Sequence, residues 1–169
     1  MSILTKLEII KQIKKGNIKI EPLNLENIGP ASIDLTLGNI FRIFEISQKV
    51  YNVSDEADYQ KITKLIKTDS IVIKPQETIL GITKEKLTLA PNICGWLEGR
   101  SRFARLGLMV HISASFMQPG ISNQQVLEIS NMGHIALRLQ AGTKICQFVF
   151  QTTIGKAKYQ GKFSHQTTP

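Results

Sequence analysis

Residues Gln125–Gln151 read QVLEISNMGHIALRLQAGTKICQFVFQ. The first seven alternate in character. Leu127 and Ile129 fall on one side of an extended chain, and Val126, Glu128 and Ser130 fall on the other. From His134 onward the stretch reads as two strands divided at Ala141–Gly142. Working outward, LGLMVHISA places Leu106, Leu108, Val110, Ile112 and Ala114 on one face. SIVIKP, ETILGIT and KLTLAP read as three short strands ended by Pro, Gly or charge, and Ile18 and Ile20 alternate in NIKIEP. SIDLTLGNIFRIF alternates around Leu35 and Leu37. Residues 51–69 are polar and irregular, and predict a loop or short helix. Many short strands with regular turn signals predict a sandwich or barrel. One helix is expected, over residues 5–15. There Thr5 and Glu8 fit a capping box, Leu7, Ile10 and Ile13 make one face, and Gly16 ends it.

A chain of 169 residues favours one domain. An apolar fraction of 42% is enough to bury a core. No apolar run approaches the length needed to span a bilayer. The opening MSILTKLEIIKQ has charges where a signal peptide needs an apolar centre, so a cytoplasmic protein is expected. Cys94 and Cys146 form no CxxC and are expected as reduced, buried thiols. From YQGKFSHQTTP onward nothing looks packed, and a mobile tail is expected from about residue 156.

The formal charge of +8 suggests an anionic partner. Most lysines are scattered and read as solvated surface. No interleaving of aromatic and basic residues suggests a nucleic-acid platform, and a nucleic-acid-binding module is a distant reading. Arg100, Arg102 and Arg105 in GRSRFARLG form a more specific candidate. Ser101 there is expected to cap a short helical turn that Gly107 ends. Ser101 and Arg105 would share a face, and the free N–H groups beside the arginines would suit a phosphate chain. The plainer alternative is a capped turn with surface arginines. Glu128 interrupts an apolar strand. It is either solvent-facing or a partly buried general base, kept ionised by Arg105 in the second case. His111, His134 and His165 are isolated, and His111 reads as a packing residue. HxE with PCxxC, a P-loop, GxGxxG and GxSxG are all missing. No metal site is expected from these residues.

GPASIDLTLG, GRSRFARLGL, VLEISNMG and YQGKF, in that order, resemble the dCTP deaminase family of the dUTPase superfamily. The similarity runs from about Ile18 to Gln166. The resemblance implies a mostly β, distorted β-barrel or jelly-roll-like fold. It further implies a homotrimer with active sites between subunits, and a metal-free deamination of dCTP to dUTP in which Mg²⁺ is held only by the triphosphate. By the same resemblance Glu128, Arg105 and Ser101 are the catalytic residues. Arg100, Arg102 and Lys162 would hold phosphates, and Ser113 and Ala114 would match the family's Thr-Ala, with Ala114 holding the attacking water. Val126 joins the substrate-binding set. Tyr159, Lys162 and Gln166 would close over base and triphosphate.

The chain departs from that pattern at one turn. Gln118 stands where the family has an aspartate that meets the sugar 3′-hydroxyl, Ile121 replaces an aromatic and Asn123 a glycine. Gln118 still hydrogen-bonds a hydroxyl but cannot act as a base. The sequence therefore reads first as a deaminase. A dUTP diphosphatase, or a bifunctional enzyme forming dUMP, is the second reading, and a non-catalytic nucleotide sensor is the third.

Overall fold

The structure is a computed structural model that describes residues 2–47, 50–111 and 113–169. Its largest feature is a nine-stranded antiparallel sheet that curls into a half-barrel, with a nine-residue helix, about two and a half turns, at the N-terminal end. This is the mostly β, distorted barrel that the family resemblance implies, and it agrees with the sandwich or barrel expected from the alternation. The central strand is β5 (Thr78–Leu89), which carries β9 (Ser122–Asn131) on one edge and β2 (Ile33–Phe44) on the other. Beyond β9 lies β7 (Leu108–Val110). Beyond β2 follow β11 (Lys144–Thr152), β6 (Ile93–Gly99) and β8 (Phe116–Met117). The short strands β1 (Ile18–Glu21) and β3 (Thr63–Lys67) add to β5 and β2. A separate ladder joins β4 (Ser70–Ile73) to β10 (Leu137–Gln140).

ETILGIT and KLTLAP, expected as two strands, are one. The ladder to β9 runs from Thr78 to Ile82, breaks, and resumes at Lys86. Such an interruption bends a strand without ending it. Its first half pairs β2 and its second half β1, which is how the sheet turns its corner. The two strands flanking Ala141–Gly142 are also present, but they do not pair with each other. Leu37 holds the turn by bonding Thr143 and Gly142, so β11 follows β2 while β10 leaves to join β4.

The core forms where the alternating inward faces meet. Phe41, Phe148, Phe150, Ile33, Leu35 and Leu127 are fully buried, and the rings of Phe148 and Phe150 lie 4.6 Å apart. Each such side chain contributes about 1.5–3 kcal/mol by leaving water. At Gly95 on β6 a Cβ would overlap the Phe148 ring and the Val149 carbonyl, so no larger residue fits this crossing.

Several local expectations are corrected. Helix α1 spans Lys6–Lys14 with Thr5 at its N-cap, but the Thr5 side chain makes no capping bond. Glu8 turns instead along the helix to accept from Gln12 at 2.6 Å and Lys11 at 3.2 Å. Ile9, not Leu7, is the buried anchor, and Leu7 is exposed. The second helix, α2, is one turn over Ser101–Ala104. Arg100 rather than Ser101 takes the extended N-cap conformation, so Ser101 is the first helical residue. Of the face expected in LGLMVHISA, Leu108 and Val110 are buried on β7, whereas Leu106 is exposed in the preceding turn. Ile112 lies outside the described residues. The polar stretch 51–69 holds a short 3-10 turn and then β3, whose pairing with β2 supplies the order its composition does not.

Candidate active site

The geometry starts on β9. Its burial alternates strictly, with Asn123, Gln125, Leu127, Ile129 and Asn131 inward, and Val126 and Glu128 on the opposite face. Beside it, β7 pairs Val110 with Ile129, and the next backbone bond runs from His111 N–H to the Glu128 carbonyl at 2.9 Å. His111 is therefore opposite Glu128. Its φ of 55° turns the chain away from the ladder there. The chain then crosses to β8 and reaches the turn Gln118–Ile121, where Gly120 adopts φ 73°. The C-terminal segment passes over this turn so closely that Lys158 would press on a Cβ at position 120.

These elements wall a cavity of about 510 Å³, within the range that takes a small ligand. Glu128, Val126 and His111 line it with Ala114, Gln118 and Ile121. Tyr159, Phe163 and Gln166 close it from the C-terminal segment, and Phe44, Tyr59 and Phe116 add an aromatic rim.

The polar focus is the pair of His111 and Glu128. His111 is buried, and its Nδ1 lies 2.6 Å from Glu128 Oε2. The approach is short but poorly aligned, and neither atom has another partner among the described residues. His111 Nε2 stands 3.0 Å from the Ala114 carbonyl oxygen. A carbonyl only accepts, so Nε2 carries a hydrogen. Nδ1 then faces a carboxylate oxygen, and two lone pairs at that separation repel. A proton shared between ring and carboxyl would relieve that repulsion, an assignment drawn from the network. Burial pushes the Glu128 carboxyl up, but the hydrogen bond and charge of His111, helped by a backbone N–H, hold it below the ordinary value.

Of the residues singled out from sequence, Glu128, Val126, Ala114, Gln118, Ile121, Tyr159 and Gln166 converge on this cavity. Ser101, Arg100, Arg102, Arg105, Ser113 and Lys162 do not line it. Arg100 is tied into the fold, donating to the Lys144 carbonyl at 2.7 Å and pairing with Asp34 at 3.1 Å. Arg102 and Arg105 are exposed on and after α2, without an ion-pair partner among the described residues. The partner of Glu128 within the chain is thus His111 rather than Arg105, because β7, not α2, runs beside β9. From sequence alone His111 reads as packing. The signal for its role lies in its place at the end of the strand next to the glutamate's own. Cys94 and Cys146 are free and buried. Burial raises both thiols, and Glu85 and Asp34 raise Cys146 further. The C-terminal segment, expected as a mobile tail, runs along β9 and is bonded to it at several points. Among the described residues no helix is long and apolar enough to cross a membrane, and no three His, Cys, Asp or Glu side chains converge as metal ligands.

Comparison with known proteins places this geometry. A dCTP deaminase of Marinomonas sp. is 40% identical over 161 residues, spanning 89% of this chain and 83% of the relative. A dUMP-forming dCTP deaminase of Methanobrevibacter smithii is 32% identical across 100% of this chain and 93% of its own length. The crystal structure of a dCTP deaminase from Agrobacterium tumefaciens superposes with a TM-score of 0.68 at 19% identity. It matches 88% of this chain, which spans 47% of that chain, and it establishes the shared fold. The model of the dCTP deaminase-like family matches residues 3–153, nearly the whole barrel together with the glutamate, the histidine and the Gln118 turn, and the chain belongs to that family.

Proposed function

We propose that the protein is a hydrolase that deaminates dCTP to dUTP and ammonia, with Glu128 as its general base. The observation that carries this reading is a carboxyl on the cavity wall of β9, held below its ordinary titration range by a buried histidine. The reaction adds water at C4 of cytosine. As the C–O bond forms, Glu128 accepts a proton from that water and delivers it to ring nitrogen N3. It then moves the remaining hydroxyl proton to the amino group, the C4–N bond breaks, and ammonia leaves as the carbonyl forms. The cavity contributes by excluding bulk water and fixing one water against the ring. Ala114 lines the wall beside Glu128, which supports a place for that water there. Gln118 is suited to hydrogen-bond a sugar hydroxyl, and Val126 and Ile121 to pack against the nucleoside.

The triphosphate enters as its Mg²⁺ complex, so the ion belongs to the substrate. Arg102, Arg105 and Ser101 are exposed away from the chain's own cavity, which supports a homotrimer in which they complete a neighbour's site. Arg105 and Ser101 then orient glutamate and base, and Arg102 and Lys162 meet phosphates. Arg100 serves the same half-site, through the turn it anchors. Nucleoside triphosphates are intracellular, and we place the enzyme in the cytoplasm.

A second reading has its own support, because the M. smithii relative is named dUMP-forming. Gln118 opposes it, since a neutral amide takes no proton from a water attacking phosphorus. One assay separates them. The protein is incubated with dCTP, dUTP or CTP plus Mg²⁺, and the products are identified by chromatography. Formation of dUTP and ammonia from dCTP is expected. Pyrophosphate with dUMP would establish the second reading, and no turnover with retained dCTP binding would leave a nucleotide sensor.

A further inference from the structure

Asn123 and Gln125 are uncharged polar side chains buried inside the barrel, 4% and 1% exposed, on the inward face of β9. Neither belongs to the chemistry above. They are joined to each other and to the C-terminal segment by one continuous chain of hydrogen bonds. Thr83 Oγ1, itself fully buried, donates to the Glu85 carbonyl at 2.9 Å and accepts from Gln125 N–H at 2.9 Å. Gln125 Nε2 donates to Asn123 Oδ1 at 2.7 Å. Asn123 Nδ2 then donates to the Phe163 carbonyl oxygen at 2.7 Å. The orientation is forced. Phe163 offers only an acceptor, so Asn123 presents its NH₂ there and its oxygen to Gln125, which fixes the Gln125 amide in turn.

The chain therefore runs from the bend in β5, through the floor of the cavity, to the segment that roofs it. Around its end the two segments are cross-bonded by backbone and side-chain groups. Gln124 N–H donates to the Gln166 carbonyl at 3.1 Å, Gln166 Nε2 donates to the Gln124 carbonyl at 3.2 Å, and Tyr159 N–H donates to the Pro119 carbonyl at 2.9 Å. Tyr159, Phe163 and Gln166 are the residues of this segment that line the cavity. Asn123 is the β9 residue whose side-chain donor grips the segment, and its side chain is itself buried.

We propose that Asn123, oriented by Gln125, is a positioning residue that clasps the C-terminal segment across the cavity. Part of the ordering that closure requires is thereby met inside the fold, and less is left for the nucleotide to supply. The catalytic part of this statement rests on the deaminase reading, whereas the clasp itself does not. Removing the clasp makes bound nucleotide order the segment alone, which raises KM more than it lowers kcat. A defect that merely unfolded part of the protein would lower kcat with KM unchanged.

The test compares Asn123→Ala and Gln125→Leu with the unaltered protein by amide hydrogen exchange and by dCTP kinetics. Exchange at residues 122–124 should rise about fivefold in Asn123→Ala, the worth of one net hydrogen bond, while β11 exchanges as before. Gln125→Leu should do the same to a smaller extent, since it removes only the orienting bond. KM for dCTP should rise about fivefold in Asn123→Ala. Unchanged exchange at 122–124 in both variants, or a rise matched by β11, overturns the clasp. A clasp confirmed by exchange with kcat falling and KM constant overturns its positioning role. If the protein does not turn over dCTP, the deaminase reading fails and the exchange result still decides the clasp.

Discussion

On the proposed reading Glu128 is the general base, and the buried histidine beside it would set the pH at which it works. Glu128→Gln keeps the shape and removes the basicity, so ammonia release should fall by at least about 100-fold while nucleotide binding persists. Substantial turnover by that variant would assign the proton transfer elsewhere. His111 lowers the Glu128 carboxyl against a burial that raises it. With His111→Ala only burial and the backbone remain, and the acid limb of kcat/KM should move to higher pH. A limb unmoved in this variant would show that the pair does not govern titration. The stability linkage has the matching sign. A carboxyl lowered on folding stabilises the protein above its unfolded value, and that contribution disappears as pH falls through the folded value. Alternation alone put Glu128 on the face away from the core. The contact between His111 and Glu128 was not legible, because it depends on the β7–β9 register and on a left-handed backbone angle, both tertiary outcomes.

At the level of elements, the turn Gln118–Ile121 borders the cavity, and on the proposed reading it would decide what the cavity can do to phosphorus. The unaltered protein should release little or no pyrophosphate from dUTP. Gln118→Asp should tighten sugar recognition, read as a lower KM for dCTP, and pyrophosphate release by the unaltered enzyme would point to another base. Discrimination against CTP should be weak for the family, since Ile121 offers a smaller, non-planar surface. Pro119–Gly120 announced this turn in sequence, and the strand pattern announced β9, β2 and β11, whereas β6 (Ile93–Gly99) went unread. Less visible were the merging of two runs into β5 and the pairing of β10 with β4. Both depend on which edges remain free once the sheet has curled, a property no local pattern carries. The N-terminal capping box failed for a similar reason: Glu8 had better partners along the helix.

For the whole molecule the division of the site residues matters most. Seven face the chain's own cavity, while the α2 arginines face outward. If a second subunit supplies Arg105, then Glu128→Gln and Arg105→Ala are defects in different halves of each site. Subunits of the two inactive variants, unfolded and refolded together in equal amounts, should recover roughly a quarter of the unaltered activity, because that fraction of sites inherits both intact halves. No recovery in mixed oligomers would place Arg105 and Glu128 in the same subunit's site. The charge of +8 and the arginine cluster suggest an anionic ligand. Which arginines were free and which structural became clear only from the Asp34 contact that holds Arg100.

The burial of both cysteines has a practical corollary. Thiol-directed dyes and spin labels need an accessible thiolate, and Cys94 and Cys146 offer none while the barrel is intact. The native chain is in effect already a cysteine-light background. A single cysteine placed at Lys162 would take up a probe selectively, and Trp96, the sole tryptophan, stands ready as its optical counterpart. That indole packs on Phe116 with ring centroids 5.5 Å apart, and Phe116 borders the cavity. Two reporters, one intrinsic and one attached, would follow the mouth of the cavity in real time.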